Sequence, residues 1–223
     1  MTVSFSCSGL NFTVASVPGN RICYILLPEC PDDICLKFID RVSERCRCSV
    51  ATVSGIDWNN DLTPWTADGV FAKSPSFGGK AEDFLERLGS VCFPYVEGLL
   101  SGDCVERYIA GVSLSGLFAV WSMWKCDLFK GIASVSGSFW YDGFLSWASS
   151  NTPVGHPDRI FISLGDREGK TANRRLATVS RATGDLCGHL SGLGFHVDFR
   201  LVEGTHFSPL IPRLELALES VLE

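Results

Sequence analysis

The chain has 223 residues, 46% of them hydrophobic, and a formal net charge of -6 at pH 7. This length and apolar content suffice for one sizeable core, so we predict a single domain over residues 1–223. An acidic balance without a basic run argues against nucleic acid as a partner. No apolar run approaches the roughly 18 residues that span a bilayer, and the first residues lack the charged start of a signal peptide, so we expect a soluble, cytoplasmic protein without membrane contact.

The predicted elements alternate between strands and helices along most of the chain. One or two edge strands within residues 4–17 precede an apolar run at 22–27, which is typical of a strand buried on both faces of a parallel sheet. Asp32 or Asp33 can cap the next helix. The later predicted strands are 49–56, one ending at Gly111, 131–135, 159–164 and 196–202, and the later helices are 81–100, either continuous or broken before Pro94, 114–125, 172–193 and 209–222. This alternation predicts an α/β fold with a mostly parallel central sheet flanked by helices.

Ten cysteines are spread along the chain, and we expect reduced thiols because the chain is not small and shows no export signal. Four of them lie close enough in sequence to suggest a zinc site, but their spacing lacks the Cys-x-x-Cys knuckles of common structural sites. These four are Cys30, Cys35, Cys46 and Cys48. We therefore expect neither a metal nor another cofactor.

The turn around Ser113 is the most informative stretch for function. An apolar strand ends at Gly111, Ser113 follows after one residue, and small residues then open a helix. A serine at such a turn has a strained backbone and projects its hydroxyl clear of the sheet, so Ser113 is a candidate nucleophile. The usual pattern is Gly-x-Ser-x-Gly, whereas here Ser115 holds the second glycine position and the glycine comes next, at Gly116. On this stretch alone, an ordinary strand-to-helix turn is the alternative interpretation.

Candidate partners for Ser113 follow two later strands. Asp166 and Glu168 come after strand 159–164, and His206 comes after strand 196–202. Ligands and catalytic groups collect at the carboxyl ends of strands in sheets of this kind. The order serine, acid, histidine is that of α/β-hydrolases, which favours a catalytic triad over three unrelated loop residues. The other histidines lie away from this rim and are interpreted as surface or core residues: His156, His189 and His196.

With these residues, the chain resembles the esterase family of α/β-hydrolases that includes esterase D-like, siderophore and feruloyl esterases. The resemblance extends from about Tyr24 to the end of the sequence, and its most specific motifs are the Ser113 elbow and Asp61-Leu62-Thr63-Pro64-Trp65. The weaker motifs are Gly79-Lys80-Ala81, Phe84-Leu85, Phe129, residues 136–140, Ser163-Leu164-Gly165-Asp166, Lys170-Thr171 and Asn173.

The resemblance implies roles for individual residues. Ser113 corresponds to the family nucleophile, His206 to its base, and Glu168 to its acid, with Asp166 as the alternative acid. It also implies an oxyanion hole whose first donor is the Leu114 backbone N–H. The second donor should come from the loop after strand 22–27, where Pro28 has no N–H to give, so Glu29 or Cys30 is expected to supply it.

The two candidate acids are expected to have different tasks. Glu168 lies far enough along its loop to swing back toward the histidine. Asp166, directly after Gly165, is suited instead to hold the turn by accepting N–H groups around Glu168 and Lys170.

The leading functional hypothesis is a serine carboxylic ester hydrolase that acts through an acyl-enzyme on a small-molecule ester. An acyltransferase with the same triad is one alternative, and a non-catalytic binding protein, suggested by Ser115 and Pro28, is another. Loop aromatics predict an aromatic or bulky apolar substrate, unless they pack the rim, as we favour for Trp65. The aromatics expected at the substrate are Trp58, Trp140 and Tyr141. No insertion is long enough for a separate lid domain; the natural ester and the oligomeric state stay open.

Overall fold

A central sheet organises the computed structural model, which describes residues 2–100 and 106–223. The strands in these ranges are β1 (Thr2–Cys7), β2 (Leu10–Ala15), β3 (Arg21–Leu26), β4 (Ser49–Ser54), β5 (Thr66–Ala67), β6 (Phe77–Gly78), β7 (Glu106–Val112), β8 (Phe129–Val135), β9 (Arg159–Gly165) and β10 (Val197–Val202). Eight of them form one sheet in the order β1-β2-β4-β3-β7-β8-β9-β10, and β5 pairs with β6 separately. The pairs β1–β2 and β2–β4 are antiparallel, and the other neighbours in the large sheet are parallel.

Helices cover both faces of this sheet. They are α1 (Asp33–Cys46), α2 (Trp58–Asp61), α3 (Ala81–Arg87), α4 (Phe93–Glu97), α5 (Leu114–Trp121), α6 (Phe144–Ser150), α7 (Val179–Gly192) and α8 (Leu210–Leu222). On one face α1 and α8 bury a cluster that includes Phe38 and Leu218, and on the other face α3 to α7 bury a larger cluster that includes Phe84, Phe118 and Leu186. Burial on both faces explains why the parallel strands read as continuous apolar runs. The predicted mostly parallel sheet flanked by helices is confirmed.

The first predicted helix forms as expected, and Asp32 is its cap. The Cys35 N–H donates to Asp32 Oδ1 at 2.8 Å, which satisfies one of the free donors at the helix start.

The predicted helix 81–100 is interrupted. It consists of α3, a π-helical turn at Leu88–Cys92, and α4. Pro94 has no N–H and its ring clashes with the carbonyl four residues earlier in a regular α-helix. The wider turn before it, in which the Phe93 N–H donates to the Leu88 carbonyl, relieves that clash.

One further helix prediction needs correction, and two short helices were not predicted. The helix predicted at 172–193 begins only at Val179, because the Asn173 side chain accepts the N–H groups of Arg175 and Leu176 and holds that segment in a separate turn. Helices α2 and α6, of four and seven residues, correspond to no predicted helix.

The described ranges contain neither a membrane-spanning helix nor a metal cluster. None of their helices is long and apolar enough to cross a bilayer, and nowhere in them do three or more His, Cys, Asp or Glu side chains gather as a metal would require. Nine cysteines are free thiols in the structure, and the tenth, Cys104, lies outside the described residues.

Candidate active site

Ser113 lies at the sharp turn between β7 and α5. Its backbone has φ 59° and ψ -120°, a strained conformation for a residue with a side chain. The turn needs glycine on either side: a Cβ on Gly111 would lie 2.3 Å from the Ser115 carbonyl, and one on Gly116 would lie 2.7 Å from Ser134 Oγ. The strand and helix therefore approach closely enough to project the Ser113 hydroxyl from the sheet.

Ser115 explains how the turn tolerates a departure from the usual glycine pattern. Its side chain is fully buried. The hydroxyl accepts the Val112 N–H at 2.8 Å and lies 3.0 Å from the Leu26 carbonyl oxygen on β3. Ser115 thus joins the start of α5 to the neighbouring strand, which a glycine could not do.

Three predicted residues from three loops meet at the carboxyl end of the sheet. His206 Nε2 lies 3.2 Å from Ser113 Oγ, and His206 Nδ1 lies 2.9 Å from Glu168 Oε2. These distances suit an imidazole that donates from Nδ1 to the carboxylate and accepts at Nε2 from the serine hydroxyl. The His206 side chain is 34% exposed and that of Glu168 is 3% exposed, so the carboxylate is the buried end of the chain of hydrogen bonds.

Glu168 has three further hydrogen-bond partners, all at Oε1. These are the Gly165 N–H at 2.7 Å, the Ser136 hydroxyl and Arg213 Nη2 at 3.3 Å. Burial acts to raise the pKa of Glu168, but the hydrogen bonds from His206, Ser136 and Gly165 outweigh it and hold the pKa below its ordinary value. The carboxylate is therefore ionised and directed at the imidazole.

Neither Arg213 nor Ser136 was predicted to contact the acid. Arg213 lies in α8 with a side chain only 8% exposed, and its Nη2 also donates to Ser136 Oγ. Burial lowers the pKa of the Arg213 guanidinium, and the charge of Glu168 opposes that shift. A second serine, Ser138, places its Oγ 3.3 Å from Ser113 Oγ. Ser136 and Ser138 lie in the motif 136–140, which the sequence marked without giving either serine a role, whereas only the packing of α8 brings Arg213 to the site.

Asp166 has a different partner from the one expected. It does not hold the turn around Glu168 and Lys170; its Oδ1 accepts the Gly204 N–H at 2.8 Å, across to the loop that carries His206. The Asp166 side chain is 43% exposed. Asp166 therefore couples the acid loop to the histidine loop.

A cleft of about 500 Å³ opens above these residues. Its lining combines aromatic side chains with two cations, Arg167 and Lys170. The aromatic lining residues are Trp58, Phe71, Phe77, Trp140 and Phe207. Trp58 and Trp140 thus lie at the cleft, and their role toward a substrate stays a prediction.

Tyr141 is a correction, because it packs below the cleft and does not line it. It is 2% exposed, and its hydroxyl donates to the Trp65 carbonyl at 2.5 Å. Trp65 also packs, donating from Nε1 to the Asp142 carbonyl at 2.9 Å. Tyr141 therefore supports the wall that Trp140 forms.

Arg175 holds that wall in place. Its guanidinium carbon lies 5.1 Å from the centre of the Trp140 ring and 5.6 Å from that of Phe77. Arg175 also pairs with Asp142 at 2.9 Å. These contacts link the aromatic wall to the segment before α7.

The two expected oxyanion donors have different surroundings. Leu114 lines the cleft next to Ser113, at the first position of α5. Glu29 and Cys30 are exposed, neither is among the residues that line the cleft, and Cys30 Sγ lies 3.3 Å from Ser54 Oγ. The role assigned to Glu29 stays a prediction.

The strand order and the serine turn define the α/β-hydrolase fold, and comparison with solved structures agrees. The chain superposes on an IroE-like serine hydrolase from Shewanella oneidensis with a TM-score of 0.75 at 14% identity, covering 100% of this chain and 79% of that one. It matches the siderophore hydrolase EstA from Aspergillus nidulans with a TM-score of 0.72 at 17% identity, covering 99% and 94%. A ferulic acid esterase gives a TM-score of 0.64 at 14% identity, covering 100% and 95%.

Comparison by sequence gives a likeness over a smaller part of the chain. No protein-family model matches the chain. A stretch of 141 residues, 60% of this chain, is 26% identical to the uncharacterized protein YbbA of Bacillus subtilis (strain 168). That match spans 56% of the relative's length.

Proposed function

We propose that this chain is a serine carboxylic ester hydrolase with Ser113 as nucleophile, His206 as general base and Glu168 as the orienting acid. The observation that carries the proposal is the continuous chain of hydrogen bonds from Ser113 Oγ through the imidazole to Glu168, at 3.2 and 2.9 Å. In a non-catalytic binding protein with the same fold, nothing would require these three side chains to lie within hydrogen-bonding distance of one another.

The proposed reaction proceeds in two halves. His206 Nε2 takes the proton of Ser113 as its oxygen attacks the ester carbonyl, and the same nitrogen then gives that proton to the departing alcohol. Water attacks the resulting acyl-enzyme with His206 again acting as base, which releases the acid and restores the serine. Glu168 stabilises the imidazolium in both halves, and the Leu114 N–H is the proposed first donor to the oxyanion.

The proposed substrate is a small-molecule ester with an aromatic or bulky apolar group. Support comes from the aromatic lining of the cleft, above all Trp58 and Trp140. Arg167 and Lys170 at the same cleft favour a neutral or negatively charged ester over a cationic one. Two of the superposed structures are a siderophore hydrolase and a ferulic acid esterase, and ferulic acid is itself aromatic.

The test is hydrolysis of short p-nitrophenyl esters by purified variants. Ser113→Ala should lower kcat by about 10³-fold or more while the protein stays folded. The matched control is Ser149→Ala, which removes an exposed serine hydroxyl on α6 and should leave turnover unchanged. Near wild-type turnover in Ser113→Ala would refute the proposal. A product diverted to an added alcohol in the same assay would identify an acyltransferase instead.

A further inference from the structure

The last strand of the sheet, β10, has one open edge. It pairs with β9, and no other strand in the described part of the chain pairs with it. Two of its apolar residues are exposed, Phe199 by 41% and Leu201 by 62%. An exposed edge with apolar side chains is a template for pairing with another strand.

The hydrogen bonds to β9 determine which groups point outward. Ile160 donates to the His196 carbonyl at 2.9 Å, and Asp166 donates to the Val202 carbonyl at 2.8 Å. Backbone groups of a strand alternate in direction, so the even-numbered residues of β10 bond to β9. The N–H and C=O groups of Val197, Phe199 and Leu201 therefore face the open edge.

The side chains of β10 divide between the two faces of the sheet. Asp198 accepts from Ser220 Oγ of α8 at 2.8 Å, and the Arg200 guanidinium carbon lies 5.9 Å from the centre of the Phe161 ring. Both charges therefore lie on the face covered by α8. Successive side chains alternate, so Val197, Phe199 and Leu201 share the opposite face.

We propose that two copies of this chain associate by antiparallel pairing of their β10 edges, with Phe199 opposite Phe199 of the second copy. In this register the outward backbone groups of Phe199 face each other, and those of Val197 face those of Leu201. Each such pair forms two hydrogen bonds. The apolar residues of both strands then form one continuous stripe on the α7 face, and the sheet continues across both copies.

Charge selects this register over its neighbours. With Phe199 opposite itself, Asp198 of each copy lies opposite Arg200 of the other, in a non-hydrogen-bonded pair where side chains are closest. A shift of the second strand by two residues in one direction places Asp198 opposite itself, and in the other direction it places Arg200 opposite itself. Like charges directly opposite each other are destabilising. When two copies of β10 run antiparallel, opposite charges face each other and apolar residues face apolar residues. The strand therefore fits a second copy of the chain better than an unrelated partner.

The test uses charge exchange on the edge of the full chain. Sedimentation velocity from about 1 to 200 µM should reveal a species of twice 24.3 kDa for the wild type. Asp198→Arg and Arg200→Asp each place like charges opposite each other, so each should raise the dissociation constant by about tenfold or more. The double variant with both exchanges restores the opposite charges and should recover dimerisation.

Two results would overturn the proposal: a wild type that remains monomeric throughout this range, or a double variant that dimerises no better than the single ones. Asp198→Arg also loses the bond to Ser220, and each single exchange breaks the ion pair between Asp198 and Arg200 within the strand, at 2.9 Å. A measurement without substitution therefore accompanies them. In the wild type, exchange of the amides of Val197, Phe199 and Leu201 should slow as the concentration rises. Exchange at these amides that does not depend on concentration would equally contradict the paired edge. Neither measurement depends on esterase activity, so this inference and the proposed function fail separately.

Discussion

At the scale of single residues, the surroundings of Glu168 indicate two tasks, which are to orient His206 and to compensate the charge of Arg213. The sequence alone suggests that losing the acid would harm catalysis and leave stability unchanged. Arg213 changes that expectation, because its side chain is 8% exposed and pairs with Glu168 at 3.3 Å. Removing one partner of a buried ion pair leaves the other charge uncompensated.

We expect Glu168→Gln to lower both kcat and the free energy of unfolding. The kinetic loss should be about 10²- to 10⁴-fold because the imidazolium loses its counter-charge, and the stability loss should be about 3 kcal/mol because Arg213 is left buried and unpaired. Adding Arg213→Met to Glu168→Gln should recover most of the stability without recovering kcat. Urea unfolding and ester hydrolysis on the wild type and both variants measure both effects. Recovery of activity in the double variant would show that Glu168 acts only on the fold.

The pKa of Glu168 predicts a pH dependence of stability. Its folded-state pKa lies below the ordinary value of 4.5, so the unfolded state binds the proton more readily than the folded state does. The resulting stability is fully present above pH 4.5 and is lost as the pH falls toward the folded-state pKa. The difference in unfolding free energy between the wild type and Glu168→Gln should therefore shrink when unfolding is measured at progressively lower pH below that value. A difference that stays constant down to pH of about 2 would contradict this assignment.

At the scale of elements, the turn between β7 and α5 depends on Ser115. A buried hydroxyl that accepts the Val112 N–H and reaches the Leu26 carbonyl ties the start of the helix to two strands. The unusual residue in the serine motif is therefore a structural connection, and it does not argue for a degraded site.

Restoring the usual glycine should harm this protein. We expect Ser115→Gly to lower the free energy of unfolding by about 1 to 3 kcal/mol, because the part-buried Val112 N–H loses its acceptor. Ser115→Ala is the matched control: it loses the same bonds but keeps a good helix former, so its loss should be smaller by up to about 1 kcal/mol. Both are read from denaturant unfolding at neutral pH. A Ser115→Gly variant as stable as the wild type would contradict the structural role given to this hydroxyl.

At the scale of the whole molecule, the long buried strands and the order of the candidate catalytic residues along the chain were predictable. Contacts between elements distant in sequence were not. Continuous apolar runs such as 22–27 indicate parallel strands, and the carboxyl ends of such strands meet, so Ser113, Glu168 and His206 could be grouped from the sequence. Arg213 could not, because an arginine in an amphipathic helix usually faces solvent and only the packing of α8 buries it.

Neighbouring aromatic residues illustrate the same limit. Trp140 lines the cleft and Tyr141 packs beneath it. An irregular loop has no regular alternation of side chains, so the sequence does not show which of the two points toward the cleft. The second oxyanion donor could not be chosen from the sequence for a related reason, since the backbone direction after Pro28 depends on loop geometry that composition does not encode.

The central claim, that Ser113 is an activated nucleophile, is tested most directly by stoichiometric labelling with a fluorophosphonate followed by peptide mass analysis. We expect one label per chain, on the peptide that contains Ser113, with labelling lost in Ser113→Ala and greatly slowed in His206→Ala. Label on a different residue, or a folded wild type that takes up none, would contradict the account.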